Sequence, residues 1–374
     1  MRLFNSSARS DPRGCGTFKI TFGIMIASVL ALSTFSYVFM NQKAYADGLT
    51  QENLPPATVG DRNAAVFVKV NPVILTSSNP QDAYMQFKLY DANNNQTIQH
   101  VTYHITVTKA SGGNDQKALL DDFFHAHNGL LQLKIQPSEG QTTIYGNKDP
   151  FQNAYVADPG GTIGIKGPLL IEGGLYHLKI EIFGIDNDRN IFVPENAPKF
   201  DSYLSVGDVS GENIAYQGKN YNTTIISYYD KINDFKFNQD TKTLSWSMPF
   251  DWDPNRIKSV NIFVHEEVWL PTSLKSIGDG ESFTAEVNGH PISGRMLMAV
   301  PNPDKNQMTI HYMLNKDDLL AISQNVPDGT DKMQFSLTPG TTVIPEFPMS
   351  ATIVTAFGTL LGLLMVMTRL VKMK

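Results

Sequence analysis

Tyr84-Met-Gln-Phe-Lys-Leu-Tyr90 runs directly into Asp91-Ala-Asn-Asn-Asn95, and these two short segments decide the fold. Met85, Phe87 and Leu89 alternate with Gln86 and Lys88, so on an extended chain the apolar residues share one face. The Asp and Asn cluster then supplies a turn, because both residue types tolerate turn backbone and hydrogen-bond to it. Alternation closed by turn chemistry predicts a half-buried strand.

The pattern repeats outward in both directions. Residues 65–70 close on Asn71-Pro72, and further strands are expected over 101–108, 129–136, 162–166 and 175–185. The mixed stretch 116–124 reads either as a bulged strand or as one helical turn. Beyond it the style continues without an internal repeat, over 214–216, 221–229, 234–237, 242–248, 259–268, 282–287, 296–300, 307–314 and 332–337. One short helix is expected over 315–323. Many short strands with regular turn signals predict an all-β chain of two antiparallel β-sandwich domains, Ig-like or jelly-roll in style. Pro194, Pro198 and the glycines at 207 and 211 place the boundary, giving domains over 62–200 and 201–340 after a disordered leader over 47–61.

Two apolar runs bracket these domains. Residues 20–40 carry no charge, follow Arg2, Arg9, Arg13 and Lys19, and precede Ala44-Tyr45-Ala46, a small-x-small cleavage pattern. Residues 1–46 therefore read as a signal peptide cut by signal peptidase after Ala46, with a retained N-terminal anchor as the alternative. Residues 349–368 are again uncharged and precede a basic tail, 369–374, with Arg369, Lys372 and Lys374. Twenty residues at about 1.5 Å each cover the roughly 30 Å of a bilayer core, so this run predicts a transmembrane helix. Basic flanks stay cytoplasmic, and both ends then place the intervening chain outside the cell membrane.

Before the second run, within the linker 341–348, stands Pro345-Glu346-Phe347-Pro348. Motif, apolar helix and basic tail together resemble the PEF-type C-terminal sorting signals of archaeal surface proteins, whose common form in ammonia-oxidising archaea has glycine where Pro348 stands. The resemblance covers about the last 30 residues. It implies processing by an archaeosortase-like enzyme and a location at the cell surface; a plain single-pass anchor is the other reading.

Composition narrows the function. Residues 47–344 hold 22 basic and 34 acidic residues, so the exported part carries a net charge of −12 and no basic stripe for nucleic acid. The single cysteine, Cys15, precedes the first run. The exported part thus excludes a disulfide, a zinc–thiolate site and a blue-copper centre. Asn95-Gln-Thr and Asn222-Thr-Thr match the glycosylation pattern.

Histidines are the one cluster with chemistry. His125 and His127 lie at i and i+2, and His100 and His104 share a predicted strand face. If the segments pair, His104 joins His125 and His127 as nitrogen ligands for copper or zinc; otherwise these are ordinary sheet residues over a core face holding Phe124 and Ala126. His265-Glu266-Glu267 lacks the second histidine of a zinc-protease motif, since Trp269 stands there, and His290 and His311 are isolated. Asp91/Asn93/Asn95, Asp186/Asp188/Asn190 and Asp251/Asp253/Asn255 offer alternate oxygens suited to calcium, but Asp and Asn also crowd hairpins, and no EF-hand glycine or closing glutamate follows. Trp246, Trp252 and Trp269 fall close together, as a sandwich core or a sugar platform. No nucleophile elbow, phosphate loop or acid–base pair is present, so no catalysis and no bound cofactor is expected. The reading is a non-enzymatic surface protein that contacts surface-layer proteins or glycans, with extracytoplasmic copper or zinc binding as the alternative.

Overall fold

The computed structural model describes residues 50–76, 82–260, 262–274 and 283–340; the expected signal peptide, Ala44, Ala46, the Pro345–Pro348 motif and the 349–368 run lie outside them. Alternation is realised at Tyr84–Asp91, where Met85, Phe87 and Leu89 are buried and the residues between them face outward. Among the described residues, repetition of this pattern builds three sheets, of seven, eleven and five strands. Pairing is mainly antiparallel, with parallel exceptions such as Thr162–Gly167 beside Leu130–Pro137. Among the described residues no helix is long and apolar enough to cross a membrane.

Two apolar clusters hold the sheets together. The first draws on the seven-stranded sheet and the early strands of the eleven-stranded one, with Phe87, Tyr103, Phe124 and Leu178 among its members. The second draws on the later strands of the large sheet and the five-stranded sheet, around Trp246, Tyr312 and Phe335. Trp246 stacks on Phe335 at 5.2 Å, so that tryptophan belongs to the core.

The boundary expected at residues 200 and 201 falls inside one strand, Lys199–Tyr216, the longest among the described residues. Its first half pairs with Gly174–Gly184 and its second with Lys219–Ser227, so both clusters share it. The prolines that suggested a linker precede the strand. Gly207 marks close packing: a Cβ there would meet Ile226 at 2.8 Å and Ile74 and Tyr228 at 3.1 Å.

The leader is corrected as well. Gln51–Asn53 and Ala57–Val59 are strands that pair with Arg62–Asn71, not a disordered segment. Leu54 and Val59, both buried, anchor an otherwise polar stretch to the first core. Residues 116–124 form part of the strand Asn114–Ala126, whose register against Val101–Ser111 shifts near Thr108, which is the bulged reading. The short helix is Lys316–Ser323, started by a reciprocal cap between Asn315 and Asp318. A second helix, Pro254–Ser259, sits just ahead of the strand Phe263–Pro271; Asp253 caps it and Pro254 occupies its first turn.

Candidate metal centre

Three neighbouring strands of the large sheet, Asn114–Ala126, Val101–Ser111 and Gly174–Gly184, end together, and their connections gather the histidines. His125 is the last but one residue of its strand and lies opposite Thr102. His127 follows in the turn, and its carbonyl accepts the backbone N–H of His100 at 2.9 Å. His100 has φ +51°, a left-handed conformation that histidine tolerates better than most residues. That turn swings its ring toward His127. The loop after Gly174–Gly184 brings in Asp188.

Asp188 Oδ1 is the centre of the group. It lies 2.7 Å from His100 Nδ1, 3.2 Å from His125 Nε2 and 3.8 Å from His127 Nδ1. The two Nδ1 atoms of His100 and His127 are 3.3 Å apart. A tetrahedral ion with bonds of about 2.05 Å separates its ligands by about 3.3 Å, and the four measured gaps bracket that value. Three imidazoles and one carboxylate are a nitrogen-rich set that suits zinc or copper better than calcium.

The chain also sets the tautomer of His125. Gln152 Nε2 donates to the Asp188 carbonyl at 3.0 Å, and a carbonyl only accepts, so Gln152 Oε1 faces Thr102. Thr102 donates its hydroxyl proton to that oxygen at 3.2 Å. Thr102 Oγ1 must then accept from His125 Nδ1, 2.9 Å away. The proton of the neutral ring is on Nδ1, and Nε2 presents a lone pair. That nitrogen is buried, without a hydrogen bond, and opposes the Asp188 carboxylate. Two lone pairs across 3.2 Å repel, and a cation between them relieves the repulsion.

Electrostatics agree with that role. Burial, then the neighbouring His127, lowers the His125 pKa below its ordinary 6.5 despite the Asp188 charge, which keeps the ring neutral and able to ligate. Asp188 is held below the usual carboxylate range by the His100 hydrogen bond, against partial burial, with the three histidines adding to the effect. His125 is 2% exposed, whereas His127 and Asp188 are about half exposed, so the group opens to solvent on one side.

His104 stands apart from the cluster. Its ring stacks on Phe123, Nδ1 lies 2.8 Å from Glu181 Oε2, and Nε2 lies 2.9 Å from Asp121 Oδ1. Both nitrogens are occupied. Sequence reasoning paired His100 with His104 on one strand face and missed the turn that separates them. Asp188 was visible within the Asp186/Asp188/Asn190 pattern, but as an oxygen site of its own. In the other two patterns Asp91, Asp251 and Asp253 each accept a backbone N–H two residues on, which are the bonds of turns and caps. Asp186, in the same pattern as Asp188, instead forms an ion pair with Arg62 at 2.8 Å. Asn95 and Asn222 are both exposed. Comparison with protein-family models, with curated proteins and with solved structures finds no match.

Proposed function

We propose that this chain is an exported metal-binding protein of the cell envelope, and that His100, His125, His127 and Asp188 hold a zinc or copper ion. The observation that carries the reading is His125 Nε2, a buried lone pair fixed by the Thr102–Gln152 relay and aimed at a carboxylate. Outer-shell hydrogen bonds of this kind orient metal-ligating histidines. The reading is non-catalytic binding, since the sequence offers no nucleophile with a nearby base. The clustered sheets and two cores support the sandwich description of both halves, in Ig-like or jelly-roll style. Envelope location rests on the two apolar runs and the Pro345–Phe347 motif, with the membrane, a signal peptidase and an archaeosortase-like enzyme as partners, and with surface-layer proteins or glycans as neighbours.

Two measurements test it. The full chain is loaded with zinc or with copper, dialysed and analysed for bound metal; the metal content should fall by one equivalent in His127→Ala and in Asp188→Ala. Equal retention by both variants overturns the site. The intact mass of the native protein should lack residues 1–46, and a mass that includes them overturns cleavage at Ala46.

A further inference from the structure

His265 and Glu267 are two apart on the strand Phe263–Pro271 and so share a face. His311, on the neighbouring antiparallel strand Gln307–Asn315, stands in register opposite Glu267. Strand pairing alone therefore gathers two imidazoles and a carboxylate, with no loop involved. His265 Nε2 is 3.2 Å from His311 Nδ1, and Glu267 Oε1 is 3.8 and 3.9 Å from the two nitrogens. A triangle with those edges has a circumscribed circle of about 2.1 Å radius, which is the length of a zinc–nitrogen or zinc–oxygen bond. An ion at its centre reaches all three atoms without any side chain moving.

From this geometry we infer that His265, Glu267 and His311 form a second metal site, trigonal in its protein ligands, that takes a divalent transition ion such as zinc. Two nitrogens among three ligands favour zinc over calcium or magnesium. The ligands are held in place. Trp269 Nε1 donates to Glu267 Oε2 at 2.9 Å, Tyr228 donates its hydroxyl to Oε1 at 3.2 Å, and the Tyr228 ring stacks on His265 at 4.7 Å. Charge points the same way. Glu267 is only 6% exposed, and among the described residues no lysine or arginine forms an ion pair with it; its ionic neighbours are the two histidines. A buried carboxylate calls for a cation, and a bound metal supplies one. His311 is partly exposed and gives the ion a way in.

The test separates this site from the first. Zinc is added to the full chain, excess is dialysed away, and metal per chain is counted by elemental mass spectrometry. The unaltered chain should hold two ions, His127→Ala one, and the double variant His127→Ala/His311→Ala none. Glu267→Gln, which keeps the shape of the carboxylate, repeats the test should His311→Ala fold poorly by circular dichroism. Cobalt bound to the His127→Ala chain should give a visible absorption that either second-site change removes. An ion in His127→Ala that survives both changes, or no ion there at all, overturns the second site. A single ion released by His311→Ala but not by His127→Ala keeps this site and removes the first.

Discussion

Thr102 Oγ1 accepts the His125 Nδ1 proton at 2.9 Å while donating its own to Gln152 at 3.2 Å. The hydroxyl thus orients a ring that ligates through its other nitrogen. Thr102→Val keeps the volume and removes the acceptor, leaving Nδ1–H unpaired in a buried place. Loss of such an outer-shell partner weakens metal binding by about 10- to 100-fold. Competition against a chelating dye should show that drop, with Thr102→Ser near the parent value. Unchanged affinity in Thr102→Val would mean that the ring needs no relay.

Glu266 faces away from its neighbours His265 and Glu267 and is fully buried. One oxygen lies 2.6 Å from Ser227 Oγ, and the other has no hydrogen-bond partner among the described residues. Burial pushes its pKa well above the ordinary 4.5, against the Ser227 bond, and nearby carboxylates add to the rise. The folded chain therefore keeps a proton that the unfolded chain releases, and stability falls as pH rises above the unfolded value. The slope from this group is about 1.4 kcal/mol per pH unit until its folded pKa is reached. Glu266→Gln cannot ionise, so its stability relative to the parent should climb at that slope. Urea unfolding between about pH 5 and about pH 7 measures the difference, and parallel curves would contradict it.

How much of this was legible beforehand depends on how local the signal is. Tyr84–Asp91 was readable because Met85, Phe87 and Leu89 announce the period themselves. The helix Lys316–Ser323 was readable because its start lies within four residues. Lys199–Tyr216 was hidden because Gly207 serves packing against Ile226 and Ile74, partners distant in the chain, while Gly211 stands in open space on the strand. The same holds for the site. His125 and His127 are local, and their common direction follows from the i, i+2 spacing. Asp188 reaches them only through the pairing of Gly174–Gly184 with Val101–Ser111, and His311 meets His265 only through pairing of Phe263–Pro271 with Gln307–Asn315. Spacing alone does not encode register.

Gly112 and Gly113 make the two-residue turn between Val101–Ser111 and Asn114–Ala126, with φ of +59° and +90°. They differ in their surroundings. A Cβ on Gly112 would sit in ordinary van der Waals contact, 3.5 Å from Phe250 N, whereas one on Gly113 would overlap the Arg256 guanidinium and the Tyr229 hydroxyl. Arg256 keys this turn to the later half of the chain, donating to Gly113 O at 3.2 Å, Asp251 O at 2.9 Å and Tyr229 Oη at 2.6 Å. Gly112→Ala should cost about 1 kcal/mol, the strain of the left-handed backbone alone. Gly113→Ala should cost about 2–4 kcal/mol, since the guanidinium must also give way. Equal losses in urea unfolding would show that the close approach carries no energy.

Asp318 joins two devices at the start of the helix Lys316–Ser323. Its carboxylate accepts both Arg295 Nη atoms, at 2.7 and 2.6 Å, and also the Asn315 N–H at 3.0 Å. Its own N–H donates to Asn315 Oδ1 at 3.0 Å. The carboxylate is 9% exposed and the Arg295 side chain 61% exposed, so the two partners differ in what their loss leaves behind. Asp318→Ala removes the fork and half of the reciprocal cap, and should cost about 2–3 kcal/mol. Arg295→Ala removes a cation that is itself well solvated but leaves a nearly buried carboxylate with one backbone donor and no counter-charge, and should cost about 1–2 kcal/mol. Thermal unfolding of both variants and of the pair gives the coupling, expected at about 1 kcal/mol. If Arg295→Ala were as costly as Asp318→Ala, the ion pair rather than the cap would hold this helix in place; the solvation of the guanidinium argues for the cap.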